Sequence, residues 1–406
     1  MKLSIALGAT VVLVAVMAAE EAHAISGIVR GCWIYEDERD EGNNSAGSLH
    51  LTTGTGVSRA IRRARVALLG GGGGEIGSGV TGADGCYAFN WNDPLALWFP
   101  TSGYKIRVEL KDPSDFYITD PGGAQFVSQA SVTLADSDHN VGTHGYPTRS
   151  GGVPNDEIQV FATAADYWTR IVDAAAVLSQ RMTNIHIVAT APAGHNGCAG
   201  SCNWGANDVQ IMDGDGENNP VFVVSHEIGH STTLHAWGLS FPHWPVTCIA
   251  GHTYTSVETC EAFVFNEGSA DFWAAAFSWS PDTAAPAFVM GPIETPAGVC
   301  TAGPTPWRIE GCIAAALWDV YDDPTADDDA LDDSTNITLS GIVNIYDQFA
   351  DNCLGLADRC SNEGGNHGPN HWDWMENFDD DFPTLTADRR DIYNACDINE
   401  GGEEPF

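Results

Sequence analysis

Basic residues are scarce in this chain. Seventeen Lys and Arg stand against fifty-five Asp and Glu, for a formal net charge of −38. Nucleic acid needs cations to displace its counterions, so this balance argues against a nucleic-acid partner. No apolar run after the first 24 residues is long enough to span a bilayer, so no membrane-crossing helix is expected in the mature chain. Paired C-x-x-C motifs are absent, which speaks against a cysteine-rich zinc site. Five consecutive glycines, Gly70–Gly74, are not followed by Gly-Lys-Ser/Thr. They read as a flexible loop between strands, not as a phosphate cradle.

What is present begins with Met1-Lys2, an apolar run from Leu3 to Ala19, and Ala22-His23-Ala24. This is the pattern of a secretory signal with cleavage expected after Ala24, giving an extracellular mature chain. Eleven cysteines in an exported chain point to disulfides. Proximity suggests Cys198–Cys202, Cys248–Cys260, Cys300–Cys312, Cys353–Cys360 and Cys32–Cys86, leaving Cys396 over, although spacing alone does not fix connectivity. Two readings of the acidity stay open: carboxylates that bind calcium, or a heavily solvated surface suited to saline water.

The most informative stretch is Val221–His230, an apolar run leading into His226-Glu227-Ile228-Gly229-His230. On a helix, His226 and His230 project from one face and can share a metal ion. Glu227 lies about 100° round the helix, within reach of water at the metal but not placed as a third ligand. Asn266-Glu267-Gly268-Ser269-Ala270-Asp271 supplies that ligand in Glu267, completing a His2Glu zinc set with one position open. Asp271, at i+4 on the same predicted helix, can accept the second ring N–H of a ligand imidazole.

These two motifs resemble those of the gluzincin metallopeptidases, of the thermolysin and fungalysin types. Two flanking stretches add to the likeness. Asn203-Trp204-Gly205-Ala206, followed by Val209 to Gly216, is similar to the edge strand that pairs with substrate and runs into an acidic turn. Gly311-Cys312-Ile313-Ala314-Ala315-Ala316-Leu317-Trp318-Asp319 is similar to the fungalysin helix after the catalytic histidine. The resemblance covers patches between residues 155 and 320. It implies zinc on His226, His230 and Glu267, Glu227 as general base, and Asp271 orienting the imidazole of His226. It also implies peptide adding along an edge formed by Asn203, Trp204 and Ala206.

The chain departs from the family in two places. Counting back three from Gly311 gives Arg308 where fungalysins carry a histidine. Arg308 reads either as a permanently charged donor to the developing oxyanion or as a surface ion pair with Glu310 or a nearby Asp. Tyr254, His367 and His371 are further candidates for that role, each with a plain structural alternative. The loop-rich stretch 237–262 is longer than the thermolysin-like pattern has. The rival third ligand is His235, as in a metzincin, but Thr233 and Ala236 occupy the glycine and histidine positions of that motif. Asp213, Asp215 and Glu217 place hard oxygens at alternate positions, as calcium prefers, though without the full EF-hand pattern; a solvated turn fits the same residues.

Organisation follows from patterning. Residues 25–150 read as β, with strands at 27–29, 65–69, 86–91, 104–110 and 131–134. Thr81-Gly82-Ala83-Asp84-Gly85-Cys86-Tyr87-Ala88-Phe89 puts Asp-Gly in a turn before an alternating strand. It resembles a hairpin of small immunoglobulin-like and carboxypeptidase-regulatory-like modules. Residues 143–154, rich in Gly, Pro, Ser and Thr, mark a boundary. A helical period over 156–178, strands at 184–190 and 208–212, and helices at 220–236, 261–277, 311–320 and 342–349 follow. The expected fold is multidomain: signal peptide 1–24, β-sandwich accessory domain 25–150, and α+β zincin-type metallopeptidase domain 151–406. The expected function is a secreted zinc endopeptidase acting on protein or peptide, with calcium as a second candidate ion and a β module that binds a surface or polymer. The alternatives are an inactive metallopeptidase-like adhesion or binding protein, or a metzincin using His235.

Overall fold

The computed structural model describes residues 25–37, 57–94, 103–135, 137–148, 156–212, 220–238, 254–257, 261–280, 287–288, 291–293, 300, 309–321, 337–354, 374–375, 378–379 and 381–385. It is a multidomain protein of mixed sheets and several helices. Described residues within Met1–Tyr35, Arg59–Leu110 and Val127–Pro147 form a first compact unit; those within Glu36–Ser58, Lys111–Phe126 and Thr148–Phe406 form a second.

Strands β1 (Ile25–Asp37), β2 (Val57–Ala60), β3 (Arg65–Leu69), β4 (Glu75–Val80), β5 (Cys86–Asp93) and β6 (Tyr104–Glu109) open the chain. β7 (Phe116–Thr119) belongs to the second unit, and β8 (Val127–Val132) and β9 (His139–Gly145) return to the first. One sheet runs β2-β1-β5, with β9 parallel to β1; the other runs β4-β3-β6-β8, all antiparallel. β5 alternates buried Tyr87, Phe89 and Trp91 with exposed residues, so one of its faces is core. Gly77 and Gly79 of β4 let that strand approach β5: a Cβ on Gly77 would stand 2.7 Å from the Asn90 carbonyl oxygen, and one on Gly79 2.8 Å from the Phe89 ring. Cys32 and Cys86 face each other across β1 and β5 and are disulfide-bonded.

In the second unit, β7 pairs parallel with β10 (Ile185–Ala191), which pairs parallel with β12 (Asp208–Met212); β11 (Cys202–Asn203) closes the open edge antiparallel to β12. The sequence reading placed all of 25–150 in one β module, but 111–126 groups with the larger unit and supplies a strand to its sheet. β13 (Ala287–Phe288) and β14 (Gly291–Pro292) form a small hairpin pair.

The helices are α1 (Asp156–Tyr167), α2 (Ala176–Arg181), α3 (Pro220–Ala236), α4 (Glu261–Ser278), α5 (Glu310–Tyr321) and α6 (Leu339–Leu354). The expected single helix over 156–178 breaks. After α1 the chain widens into a π turn, Trp168–Val172, closed by the Asp173 N–H donating to the Trp168 carbonyl at 2.8 Å, and α2 restarts beyond it. Helix α3 begins at Pro220, a residue suited to a first helical turn, and stops before Gly238, whose φ of 65° ends the helical path.

Helices α3, α4 and α5 pack with their backbones in contact. A Cβ on Gly229 would meet the Ala270 carbonyl oxygen at 2.9 Å, and one on Gly268 would meet the Glu310 carbonyl oxygen and the Ile313 Cβ at 2.7 Å. Trp237, Phe265, Trp273, Tyr346 and Trp374 form an aromatic core beside this crossing. Cys198–Cys202 and Cys300–Cys312 are bonded as expected. Cys248, Cys260, Cys360, Cys396 and the side chain of Cys353 lie outside the described residues. Among those residues no helix is long and apolar enough to cross a membrane. The disulfides fit an extracellular protein.

Candidate metal centre

His226 and His230 lie one turn apart on α3, their rings edge to face with centroids 4.8 Å apart. Helix α4 brings Glu267 across: its Oε2 is 3.4 Å from Nε2 of His226 and 3.3 Å from Nε2 of His230. One ligand atom from each of the three residues falls within 4.8 Å of the others, an arrangement that can hold a metal ion. His230 and Glu267 are buried and His226 nearly so. Burial pushes the Glu267 carboxyl up, but the two imidazoles outweigh it and hold the group well below the usual carboxylate range.

Each of the two imidazoles has a partner at its other nitrogen. Nδ1 of His226 lies 2.8 Å from Oδ1 of Asp271, which leaves Nε2 free for a metal. His230 has the equivalent partner in Asn266, whose side-chain amide lies 2.8 Å from Nδ1, with its nitrogen toward the ring and its buried oxygen unsatisfied. A ligating His230 carries a proton on Nδ1 and needs an acceptor. The amide turned by 180° supplies one and removes the orphaned oxygen. Sequence reasoning included Asn266 in the motif but gave it no role. The signal was its place one residue before Glu267, which itself lies one turn from Asp271.

Beyond Asp271 stands Glu310, buried at the start of α5. Burial first, and the Glu310 carboxylate next, push the Asp271 carboxyl well above its ordinary value, while the His226 ring pulls the other way. Tyr254 shares the neighbourhood. Its ring fills the space a Cβ on Gly311 would need, and its carbonyl accepts the Gly311 N–H at 3.0 Å. Burial, then the Asp271 and Glu310 carboxylates, push its phenol far up, so it stays protonated.

Glu227 is buried beside the triad on α3. Its backbone carbonyl accepts a hydrogen bond from Nδ2 of Asn203 at 3.1 Å, and the same nitrogen lies 2.8 Å from Oγ of Ser231. The Asn203 Oδ1 accepts the Gly205 N–H at 2.9 Å, so the whole amide is turned into the protein. Its backbone faces the other way. Trp204 donates to the Asp208 carbonyl, which makes that pair a hydrogen-bonded one and its neighbour Asn203–Val209 a non-bonded one. The N–H and C=O of Asn203 therefore point to the open edge, beside Trp204, which is 54% exposed.

His235 is not brought to the triad. Its Nε2 lies 3.0 Å from the Ala206 carbonyl and 2.8 Å from Oδ1 of Asn207, and burial lowers its pKa. The Ala206 carbonyl is thereby engaged with α3. Arg308, His367, His371, Asp213, Asp215 and Glu217 lie outside the described residues.

No family model and no curated protein matches the chain. One solved structure, a 9R-lipoxygenase from Cyanothece PCC8801, is similar at 13% identity and a TM-score of 0.19. The match covers 40% of this chain and spans 26% of the lipoxygenase. A likeness that weak bears on neither fold nor chemistry.

Proposed function

We propose that the chain is an exported zinc-dependent endopeptidase of the gluzincin type, with a β-sandwich accessory module ahead of its zincin-like domain. One observation carries this reading: the Glu267 carboxylate, from a separate helix, meets both Nε2 atoms of the H-E-x-x-H pair. Two neutral imidazoles and one carboxylate form the donor set that suits zinc with a position left open. The unsatisfied Asn266 oxygen fits as well, since it becomes satisfied once His230 is fixed as an Nε2 ligand. Bound there, zinc supplies Lewis acidity to a scissile carbonyl and lowers the pKa of water.

The remaining work falls to the chain's own residues. Extended substrate adds one rung to the open edge at Asn203, accepting from its N–H and donating to its C=O. The exposed indole of Trp204 lies alongside for a substrate side chain. Glu227 accepts the proton of the attacking water and returns it to the leaving amine. Asp271 and Asn266 hold the imidazoles in their tautomers. Arg308 stays the candidate oxyanion donor, and the 213–217 loop the candidate calcium site.

Casein or a peptide library, incubated with and without a chelator, tests the reading. Hydrolysis that stops on chelation and returns with zinc is expected. Glu227→Gln should keep stoichiometric zinc and lose at least about a thousandfold in kcat, the scale of removing a general base together with its charge. Full activity in that variant would remove the mechanism; bound zinc without any hydrolysis by the unaltered chain would favour a binding protein.

A further inference from the structure

The two helices that meet at the metal centre touch through bare backbone. At Gly229 the α3 backbone lies against Ala270 and the Trp273 Cβ of α4 with no α3 side chain interposed, so axial register there depends on contacts elsewhere along the helices. A slip of one residue is 1.5 Å of axial travel, enough to part Glu267 from the imidazoles. Between the two helices run the Trp273 Nε1–H bond to Oγ1 of Thr233, at 3.0 Å, and the His226–Asp271 and His230–Asn266 contacts at the metal centre itself.

Further ties lie at the helix ends. Arg170, in the π turn, donates from Nε to the Ala276 carbonyl at 2.9 Å and from an η nitrogen to the Trp279 carbonyl, at the end of α4. Arg181, the last residue of α2, donates from Nη1 to the His235 and Ala236 carbonyls at 3.1 and 3.0 Å, at the end of α3. Its other η nitrogen lies 2.5 Å from Asp347 of α6. Neither ligand-bearing helix carries a Lys or Arg in its own last turn; α3 offers only His235 there, and α4 has no basic residue. Both negative dipole ends are thus met by guanidinium groups from one short segment, Trp168–Arg181. In a chain with only seventeen basic residues, two are spent on these ends.

We propose that Arg170 and Arg181 are positioning residues of the metal site, a paired clamp that fixes the axial register of α3 against α4 and so the approach of Glu267 to His226 and His230. This rests on the metal-site reading above. Each guanidinium grips two carbonyls at a helix end, Ala276 and Trp279 for Arg170 and His235 and Ala236 for Arg181, which holds that end against both translation and rotation. The π turn aims Arg170 at α4, while the restart of α2 aims Arg181 at α3. Severing either grip frees one helix to slide while its core packing persists.

The test uses the full-length chain with Arg170→Met, Arg181→Met and Arg181→Lys, and Thr232→Val as control. The control loses the 2.8 Å Tyr167–Thr232 hydroxyl pair on the far side of α3 but neither grip. Zinc affinity is measured by chelator competition well below each apo melting temperature, with the cobalt(II) visible spectrum as a probe of coordination. Both Met variants should bind zinc about tenfold or more weakly, as loss of outer-shell support does elsewhere, with a changed cobalt spectrum. Arg181→Lys should recover part of the affinity, because one ammonium reaches one carbonyl of the two. Thr232→Val should lower stability and stay within about twofold of the parent in affinity. Met variants with parental affinity and spectrum overturn the clamp alone, as does a control that loses as much as they do. If Arg170→Met fails to fold, the half-exposed Arg181 decides the matter. A parent chain that takes up no zinc overturns the metal-site reading and the clamp with it.

Discussion

At the scale of single residues, the Asn266 amide and the Asp271 carboxylate divide one task between them, each holding one imidazole. Asn266→Leu removes the acceptor for His230 while filling similar space, and should weaken zinc binding about ten- to a hundredfold with little change in fold. Isothermal titration against a competing chelator reads this directly; unchanged affinity would show His230 needs no partner. In the first unit Tyr104 donates to the buried Asp93 carboxylate at 3.0 Å. Burial, the hydrogen bond and the carboxylate charge push its phenol up to about 12. A raised phenol favours the folded state while it stays protonated. Its contribution is therefore complete below the unfolded value of about 10 and is lost as pH climbs from there towards 12. In Tyr104→Phe the fall in stability between pH about 10 and about 12, read by urea unfolding at each pH, should be shallower than in the parent. That His226 and His230 share one helix face, and Glu267 and Asp271 another, was readable from spacing because a helix turns i and i+4 into neighbours. The inward turn of the Asn203 amide was not, since strand patterning says which face a side chain takes but not what it bonds.

At the scale of elements, the crossing of α3, α4 and α5 depends on glycine. Gly268→Ala should gain up to about 1 kcal/mol of helix propensity. The added methyl would stand 2.7 Å from the Glu310 carbonyl oxygen and the Ile313 Cβ, neither of which is a flexible tip. Overpacking of this kind costs about 1–3 kcal/mol, so the net sign is destabilising. Urea unfolding should show a lower midpoint, and zinc should bind more weakly as α4 is pushed off α5; a higher midpoint would mean that the helices separate freely. Helix α3 was legible to the residue because a proline start, an apolar lead-in and a glycine stop agree with one another. The stretch 156–178 was legible only as helical, because a π turn keeps Trp168 and Ile171 buried and so looks like unbroken periodicity. Strand β4, Glu-Ile-Gly-Ser-Gly-Val, went unseen because its glycines serve close sheet contact and carry no β-propensity.

At the scale of the whole molecule, a formal charge of −38 sets up self-repulsion that salt screens. Raising sodium chloride from about 0.05 to about 1 M, where the Debye length shrinks to about 3 Å, should raise the melting temperature of the metal-free chain by several degrees. A flat or falling response would assign the acidity to bound cations. The three disulfides among the described residues predict a lower melting temperature under reducing conditions, with Cys32–Cys86, at a sequence separation of 54, contributing most. That a β-patterned stretch precedes a helical one was legible from patterning. The crossover of 111–126 was not, because four residues, Phe-Tyr-Ile-Thr, give too short a pattern to say which sheet they join.

That borrowed strand sets a limit on dissection. A truncation beginning at residue 151 would strip β10 of its parallel neighbour and bare a row of unpaired amides along an apolar strand, Ile185–Ala191. Such a fragment should self-associate through the vacated rail, whereas a chain that keeps residues 25–406, with β6 and β1 still paired to β8 and β9, should stay dispersed. Anyone cutting this protein into halves would find that its seam does not run along the chain.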